Sequence, residues 1–284
     1  MNTNDLKIFE AVAAQGSFTR AAEATFTVQS NVTARIKNLE EEFGAELFSR
    51  TSRRVALTAA GETLMQYCKQ IGHLVDEAKK DIRQADWVIG NLKIGCIETT
   101  MALKAPQIIN EFVESYPDVN LEFKSAMQGV LINDVLNYRL DAAFIAGPVH
   151  VPELDQIPVN TEQLLIIASA KMKKLSDVME QQPLKIVVFD QGCIFRARLE
   201  SWMSSNGIIQ YKSIVVNSIE GIVNFVDAGL GISILPAEVI THYYTGRNLK
   251  TFPLNKELGT MSTVLISRKN IPRSRALQAF IERY

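Results

Sequence analysis

Apolar residues in the first 44 positions recur at intervals of three and four, which is the period of an amphipathic α-helix. They form three stripes: Leu6, Phe9, Val12 and Ala13; Phe18, Ala21 and Ala22; and Val32, Ile36, Leu39 and Phe43. Gly16 is expected to end the first helix, Ser17 to cap the second, and Gly44 to end the third. The pattern therefore predicts three short helices, with a tight turn before the third.

The side of the third helix opposite its apolar stripe carries small, hydrogen-bonding or basic side chains. These are Ser30, Thr33, Ala34, Lys37 and Asn38, and the acidic residues 40–42 come only at the end of the helix. A helix that reads base edges in a major groove must bring its backbone close to them, so short polar side chains near its N-terminus suit that task. The third helix is predicted to read DNA.

A strand, a polar turn and a second strand follow, and the turn region carries Arg50, Arg53 and Arg54. Arginines at a hairpin tip suit a phosphate backbone or a narrow minor groove. Such a segment alone reads more often as a solvated loop, but directly behind three helices of this kind it indicates a wing. Residues 1–58 are therefore predicted to be a winged helix-turn-helix DNA-binding domain.

Charge refines this interpretation. Residues 1–58 hold seven basic and seven acidic side chains, and the whole chain carries a formal charge of −1. A strong nonspecific electrostatic attraction to DNA is therefore not expected, and recognition must depend on individually placed groups. Two copies of the domain on one DNA site would strengthen such binding.

Residues 59–87 read as one long helix, with Thr58 as its N-cap. Its apolar residues Leu64, Ile71, Ala78 and Ala85 recur every seven positions, with Tyr67, Cys68, Leu74, Val75 and Ile82 between them. This stripe continues for about four heptads, or roughly 40 Å of helix. The segment is predicted to be a linker and dimerisation helix; the alternative is that its stripe packs against its own domain.

From residue 88 the pattern changes to alternating strands and helices, which predicts a parallel sheet. Strands are expected at 92–97, 119–123, 141–145, 164–169, 186–189, 215–216, 232–235 and 261–267. This amount of sheet suggests two lobes, and 284 residues leave room for both. Lobe I is predicted to span 88–161 and 267–284, and lobe II 162–266, so the overall fold class is α+β with a two-lobed α/β body.

The order GSFTRAAE at residues 16–23, then VQSNVTARIKNLEEEFGAELFSRTSRRVALTAAGE at 28–62, resembles the LysR-type transcriptional regulators. The run DAGLGISILP at 227–236 is similar to the glycine-containing turn of that family's effector domain. The resemblance implies a dimeric or tetrameric regulator whose C-terminal domain shares the two-lobed architecture of periplasmic solute-binding proteins. It also implies a small-molecule effector in the cleft between the lobes.

By this resemblance the DNA-binding residues are Gln29, Ser30, Asn31, Thr33, Arg35, Lys37, Arg50, Arg53 and Arg54. The family usually begins this helix with a Ser-Gln-Pro-like run, whereas this chain has Val28, Gln29 and Ser30, so the bases read at Ser30 and Asn31 stay open. The apolar period places Gln29 and Arg35 at the flanks of the helix. There a contact to the neighbouring helix is an equal alternative.

The effector is expected at junctions where strands give way to helices, because helix N-termini offer N–H groups to an anion. The junctions expected to line the site are residues 98–101, 125–128, 146–148, 195–196 and 217–219. The residues predicted to bind the effector there are Thr99, Thr100, Met101, Gln128, Gly147, Phe195, Arg196, Asn217 and Ser218. Arg196 would clamp a carboxylate or phosphate, unless it pairs with Glu200. Thr99 and Ser218 have helix capping as their alternative. The effector is predicted to be a small anionic metabolite, with no cofactor.

Catalysis and metal binding find little support. His73, His150 and His242 are scattered, and none has metal-ligand spacing. The three cysteines form no CxxC and indicate reduced thiols in a cytoplasm, with an oxidant-sensing Cys193 as a disfavoured alternative. Walker, GxSxG and GxGxxG motifs are absent, and neither a signal peptide nor a membrane span is expected.

Two functional interpretations follow. The first is a cytoplasmic transcriptional regulator whose partners are double-stranded promoter DNA, a small-molecule effector and further copies of itself, as a dimer or tetramer. RNA polymerase joins these partners if the protein is an activator. The second is a solute-binding or enzyme-like α/β protein whose N-terminal helices serve only assembly. The arginines of the predicted wing favour the first.

Overall fold

The computed structural model describes residues 1–51, 54–83, 87–181 and 183–284; the side chains of residues 50, 51, 54, 73, 77, 80, 81 and 83 lie outside that description. The chain divides into two compact units, Met1–Asp86 and Trp87–Tyr284. Buried apolar side chains form one cluster in the first unit and two in the second. Each unit therefore has a hydrophobic core of its own.

The N-terminal unit, called the head below, contains α1 (Thr3–Gln15), α2 (Phe18–Ala24), α3 (Gln29–Phe43), β1 (Phe48–Thr51), β2 (Arg54–Leu57) and α4 (Ala59–Arg83). Helices α1 and α3 end, and α2 begins, where the sequence indicates. Gly16 and Gly44 end α1 and α3 in the left-handed conformation that glycine adopts at little cost. Ser17 caps α2 by accepting a hydrogen bond from the backbone N–H of Arg20.

The core of the head is built from the three predicted stripes. Phe9, Ile36 and Leu39 are fully buried, and the ring of Phe9 lies 5.2 Å from that of Phe48 at the start of the hairpin. Phe43 departs from the prediction, because it is 47% exposed at the last residue of α3. The apolar stripe of α3 therefore ends at Leu39.

The long helix α4 follows Thr58, whose hydroxyl accepts a hydrogen bond from the backbone N–H of Gly61 at 3.0 Å. Leu64 and Cys68 are buried in the core of the head, and Ile71 packs against it. The first half of the heptad stripe thus packs within its own domain, which is the alternative that the sequence left open. Farther along, Ile82 is 82% exposed, whereas Ala85 lies outside the described residues.

The C-terminal unit begins with a parallel sheet, as the strand and helix alternation predicts. Strand β3 (Gly90–Cys96) pairs in parallel with β4 (Val119–Ser125) and with β5 (Ala142–Gly147). The connecting helices are α5 (Glu98–Leu103), α6 (Ala105–Ser115) and α7 (Gln128–Leu136). Together with the C-terminal helix of the chain, these elements make up lobe I.

Two long antiparallel strands follow. β6 (Leu154–Ser169) pairs with the later strand β11 (Thr260–Arg268), and β11 pairs with β5 from Ser262 to Ser267. The predicted lobe boundaries at 161/162 and 266/267 therefore fall inside continuous strands. The first half of β6 escapes prediction because Pro158 reads as a strand breaker, yet it lies beside an irregularity in the pairing where a proline is tolerated.

Lobe II contains α8 (Leu175–Met179), β7 (Leu184–Val188), α9 (Ile194–Ser205), β8 (Tyr211–Val215), α10 (Ile219–Asp227), β9 (Ser233–Pro236), α11 (Ala237–Tyr243), β10 (Leu249–Pro253) and α12 (Lys256–Gly259). β7 and β8 pair in parallel, and the second half of β6 pairs with β9 and β10. Helix α13 (Arg275–Ile281) buries Phe280 against β3 and β5 in lobe I. One hydrogen-bonded path, β10-β6-β11-β5-β3-β4, therefore joins the two predicted sheets.

Candidate nucleic-acid interface and ligand cavity

The outer face of α3 presents polar groups to solvent. Gln29, Ser30 and Lys37 are exposed, and Lys37 has its ammonium 3.5 Å from Glu41 on the same face. The hydroxyl of Thr33 donates to the backbone carbonyl of Gln29 at 3.0 Å. Of the predicted DNA-binding residues on α3, Gln29, Ser30 and Lys37 therefore lie where a duplex could reach them.

The N-terminus of α3 adds a second feature. Val28 occupies its N-cap position, and among the described residues no side chain caps the helix. The first backbone N–H groups of this 15-residue helix are thus available to an anion. Because Gln29 and Ser30 sit at the same end, this end of α3 combines donors suited to phosphate with side chains suited to base edges.

Arg35 and Asn31 have partners inside the head. A guanidinium N–H of Arg35 donates to Asp5 of α1, and its Nε donates to Asn31 Oδ1 at 3.2 Å. Asn31 in turn donates to the hydroxyl of Thr27 at 2.8 Å. Arg35 and Asn31 therefore help to hold α3 against α1 and the preceding turn. For Arg35 this is the contact to a neighbouring helix that the sequence left open as an alternative.

The hairpin that follows α3 is a two-stranded antiparallel wing. β1 and β2 pair from Phe48 opposite Leu57 to Thr51 opposite Arg54. Glu40 of α3 accepts the backbone N–H groups of Leu47 and Phe48 at 2.9 and 3.3 Å, which fixes the start of the wing to α3. Arg50 and Arg54 belong to these strands, but their side chains, and Arg53 altogether, lie outside the described residues.

A cavity of about 320 Å³ lies between lobe I and lobe II; it is called the lobe cavity below. Lobe I contributes residues 97–98, which follow β3, and residues 125–128, which begin at the last residue of β4. Lobe II contributes residues 189–190, 192–195 and 217, which follow β7 and β8. The cavity therefore lies beyond the C-terminal ends of parallel strands, where ligands of α/β proteins commonly bind.

Three of the nine predicted effector residues line the lobe cavity: Gln128, Phe195 and Asn217. Ser218 instead caps α10 by accepting the backbone N–H of Gly221 at 3.1 Å, which was its capping alternative. Gly147 precedes a cis peptide bond to Pro148 and packs so closely on Val264 that a methyl group there would overlap it.

The remaining predicted residues also lie away from the lining. Thr99 and Thr100 are buried, and their hydroxyls have no hydrogen-bond partner within the part of the chain that the structure describes. Met101 is partly buried against the core of lobe I. Arg196 donates from Nε to Glu200 at 2.9 Å and approaches the carbonyl oxygen of Phe189 at 3.5 Å. Arg196 does not line the lobe cavity. It forms the ion pair with Glu200 that the sequence left open as the alternative to an anion clamp.

Two acidic residues belong to the lining: Glu98, which lies in a predicted junction, and Asp190, which was absent from the prediction. Glu98 follows β3 and accepts a hydrogen bond from Ser125 at 3.0 Å, and Asp190 follows β7. Asp190 comes two residues after the end of the buried apolar strand β7, and this position was the sequence signal that could have found it. The polar side chains of the lobe cavity are therefore acidic or neutral.

The cysteines have the properties of unreactive thiols. Burial raises the pKa of Cys68 and of Cys96 to about 12. Burial also raises the pKa of Cys193, although hydrogen bonds from the backbone N–H groups of Arg196 and Phe195 oppose this. Because oxidants react with the thiolate, the raised pKa disfavours oxidant sensing by Cys193.

A second cavity of about 320 Å³ is bounded by parts of α5, α6, β5, β6 and β11 and by the last residues of the chain. It is lined by Thr100, Lys104, Glu162 and Tyr284, among others. Glu162 is 3% exposed, and one of its oxygens accepts the hydroxyl of Thr263 at 2.8 Å. Burial raises the pKa of this carboxyl above its usual value.

The described residues form neither a metal site nor a membrane-spanning helix. Among the described residues, no three His, Cys, Asp or Glu side chains come together in a way that could hold a metal ion. No helix within the described ranges has both the length and the apolar character needed to cross a membrane.

Comparison with known protein families assigns both units. Residues 3–62 match the model described as "Bacterial regulatory helix-turn-helix protein, lysR family". Residues 88–284 match the "LysR substrate binding domain". The chain belongs to the LysR-type transcriptional regulators. The predicted family, the fold class and the function as a DNA-binding transcriptional regulator with an effector domain are thereby confirmed.

Relatives of this LysR-type regulator match along nearly its whole length. The regulator YusT of Bacillus subtilis, whose name marks it as uncharacterized, is 37% identical over 284 residues, covering 100% of this chain and 95% of that protein. The transcriptional regulator CzcR of Bacillus cereus is 36% identical over 282 residues, covering 99% and 96%. Both are named as transcriptional regulators rather than as enzymes.

Solved structures share the fold of this LysR-type regulator. A cysteine-to-aspartate variant of full-length OxyR from Pseudomonas aeruginosa is similar with a TM-score of 0.73 and 22% identity, over 99% of this chain and 94% of that one. Full-length CbnR in complex with its target DNA has a TM-score of 0.69 and 21% identity, over 99% and 98%. These likenesses extend through both units.

Proposed function

We propose that this regulator binds promoter DNA through the outer face of α3 and the wing, as a dimer or a pair of dimers. The observation that carries the proposal is the exposed, uncapped N-terminus of α3 with Gln29 and Ser30 beside it. Because the formal charge of residues 1–58 is zero, one head binds DNA weakly, and pairing of two heads supplies the affinity.

The second half of α4 supports self-association. Leu74 and Val75 are half-buried, and Ile82 is exposed. Apolar residues at these positions continue the heptad stripe beyond the part that packs within the head. A second copy of α4 would cover them.

We further propose that a small-molecule effector binds in the lobe cavity and changes the contacts that the heads make with DNA. The proposal is supported by the size of the cavity and by its place beyond the ends of parallel strands from both lobes. Closure of two lobes on a ligand is a known route from a small molecule to a large movement. The protein acts in the cytoplasm, where bacterial DNA lies, and RNA polymerase is a partner if it activates transcription.

The same change, serine to glutamate, is made at two positions to test the DNA-binding surface. A duplex is first selected from random sequences with the full-length protein, and binding is measured by fluorescence anisotropy. Ser30→Glu puts a negative charge at the N-terminus of α3 and is expected to weaken binding at least about tenfold. Ser204→Glu, on an exposed position of α9, is the matched control and should leave binding unchanged. Equal affinity of the two variants would contradict the assignment.

A further inference from the structure

We propose that the lobe cavity takes a cationic molecule with an apolar body, such as a protonated amine, rather than the anion that the sequence suggests. This inference rests on the proposed function, which makes the lobe cavity the effector site. It names the chemical class of the effector from the charges and hydrogen-bonding groups of the lining.

The lining side chains accept hydrogen bonds and carry negative charge. Glu98 of lobe I and Asp190 of lobe II supply a carboxylate from each side. Gln128 adds a carbonyl oxygen, Oε1, which is buried and has no hydrogen-bond partner among the described residues. A buried acceptor without a partner is costly, so it marks a place where a ligand donor would be favourable.

No basic side chain among the described lining residues balances the two carboxylates. Arg196, near the start of α9, is held by Glu200 and by the carbonyl oxygen of Phe189. A ligand carboxylate would therefore meet two like charges without a cationic side chain to pair with.

The rest of the lining is apolar and aromatic. Ile97 and Met127 come from lobe I, and Phe189 and Phe195, with ring centres 6.4 Å apart, come from lobe II. Such surfaces hold a hydrocarbon body, and aromatic faces attract a cation in addition. In a molecule with an ammonium group on an aryl or alkyl frame, the ammonium would donate hydrogen bonds to the acceptors. The frame would pack against the apolar lining.

Three probes that share one carbon frame test the charge preference: benzylamine, benzyl alcohol and benzoate. Binding to the full-length protein is measured by calorimetry and by the shift in melting temperature at about 10 mM probe. Benzylamine is expected to bind at least about tenfold more tightly than benzoate, with benzyl alcohol between them. Glu98→Gln with Asp190→Asn should weaken benzylamine binding at least about tenfold, whereas Glu122→Gln, an exposed carboxylate of β4 outside the lining, should not.

Tighter binding of benzoate than of benzylamine overturns the proposal, and so does benzylamine binding that survives the double substitution. No binding by any of the three probes overturns it as well. If benzoate binds and Phe195→Ala removes that binding, the lobe cavity remains the effector site and only the charge class fails. The DNA-binding half of the proposed function has its own test and is unaffected by these outcomes.

A separate observation in the head points to Phe26 as a DNA contact. The turn between α2 and α3 closes with two hydrogen bonds, from Thr27 N–H to the carbonyl oxygen of Ala22 at 2.9 Å and from Phe26 N–H to that of Glu23 at 3.2 Å. This pattern is the Schellman motif, and it puts Phe26 in the left-handed position that glycine usually occupies. Its φ is 52°, in the left-handed region, which is unfavourable for a residue with a bulky side chain.

Phe26 is 99% exposed, so burial of its ring does not offset the unfavourable backbone conformation. It lies two residues before Val28, the exposed N-cap residue of α3, and next in the chain come Gln29 and Ser30. An apolar side chain beside the reading end of α3 suits the thymine methyl group or the sugar surface of a groove. The occupant of this surface is therefore duplex DNA.

Phe26→Gly separates stability from DNA binding. Hydrogen exchange of the α2 and α3 amides is expected to be as slow as in the wild type or slower, while affinity for the selected duplex falls about five- to tenfold. Phe43→Ala, which removes another exposed ring of the head, should leave affinity unchanged. Affinity of Phe26→Gly within twofold of the wild type overturns the assignment, as does a loss of self-association at unchanged DNA affinity.

Discussion

The ion pair between Arg35 and Asp5 gives the sharpest test of how the head is built. Arg35 is on α3, and the sequence resemblance assigns it to DNA, yet the structure joins it to α1. Replacing Arg35 with alanine is therefore expected to loosen the packing of α3 on α1. If its main role were contact with DNA, the same change would weaken binding without affecting stability.

The magnitude follows from exposure and hydrogen bonding. The side chains of Arg35 and Asp5 are 30% and 14% exposed, which places the pair between a surface ion pair and a buried one. Surface pairs contribute about 0–1 kcal/mol, and hydrogen bonds to charged groups about 1.5–3 kcal/mol. We expect Arg35→Ala to lower the free energy of unfolding of the head by about 1–2 kcal/mol. Asp5→Ala should cost more, because Asp5 also accepts the backbone N–H of Asn2 in the capping box of α1.

Hydrogen exchange is the suitable assay, since both tryptophans, Trp87 and Trp202, lie in the C-terminal unit. Protection of the α1 and α3 amides in the single variants and the double variant gives the coupling energy of the pair. A matched control is Lys37→Ala, an exposed basic residue of the same helix that should reduce DNA affinity without changing protection. Unchanged protection in Arg35→Ala together with a collapse of DNA binding would refute the reasoning.

Further predictions concern the long helix, the second cavity and one glycine. Leu64→Glu is expected to unfold the head, because this residue is buried in its core, whereas Ile82→Glu should yield monomers by light scattering with the exchange protection of the head intact. Because burial raises the pKa of Glu162, folding favours its protonated form. The wild type should therefore lose stability as the pH rises above about 4.3, the pKa of unfolded glutamate. Glu162→Gln should remove that loss at pH 8 and make little difference at pH 4, as measured by tryptophan fluorescence in urea. A methyl group on Gly61 would lie 2.1 Å from the carbonyl oxygen of Leu47, so Gly61→Ala should destabilise the head by about 1–3 kcal/mol in hydrogen exchange.

The helices of the head could be predicted because their signals are local. Gly16, Ser17 and Gly44 act within a turn of their own helix ends, and the apolar period locates the core face without reference to other elements. The resemblance to a known family then assigned the function, which neither composition nor net charge indicates.

The parts that escaped prediction depend on distant partners. A heptad pattern does not state whether Leu64 meets its own head or a second copy, because both surfaces are apolar. The role of Arg196 was decided by Glu200 one turn away, and that of Arg35 by Asp5, which is 30 positions distant in the chain. Asp190 could join the lobe cavity only once two lobes were assembled.

The first half of β6 escaped prediction for a different reason. Pro158 interrupts the strand pattern, and pairing with β11, a strand distant in the sequence, holds the segment extended. Strand propensity is a weak signal where side chains are polar and neighbouring strands supply the stability.

We infer that the head reads DNA by placed groups and not by bulk charge. Its most direct test is the affinity of the full-length protein for a selected duplex and for a scrambled duplex of equal length and composition, measured across a range of salt concentrations. We expect the selected duplex to bind at least about a thousandfold more tightly, with a shallow salt dependence that corresponds to few phosphate contacts. Equal affinity for the two duplexes, with binding that disappears steeply as salt rises, would contradict it.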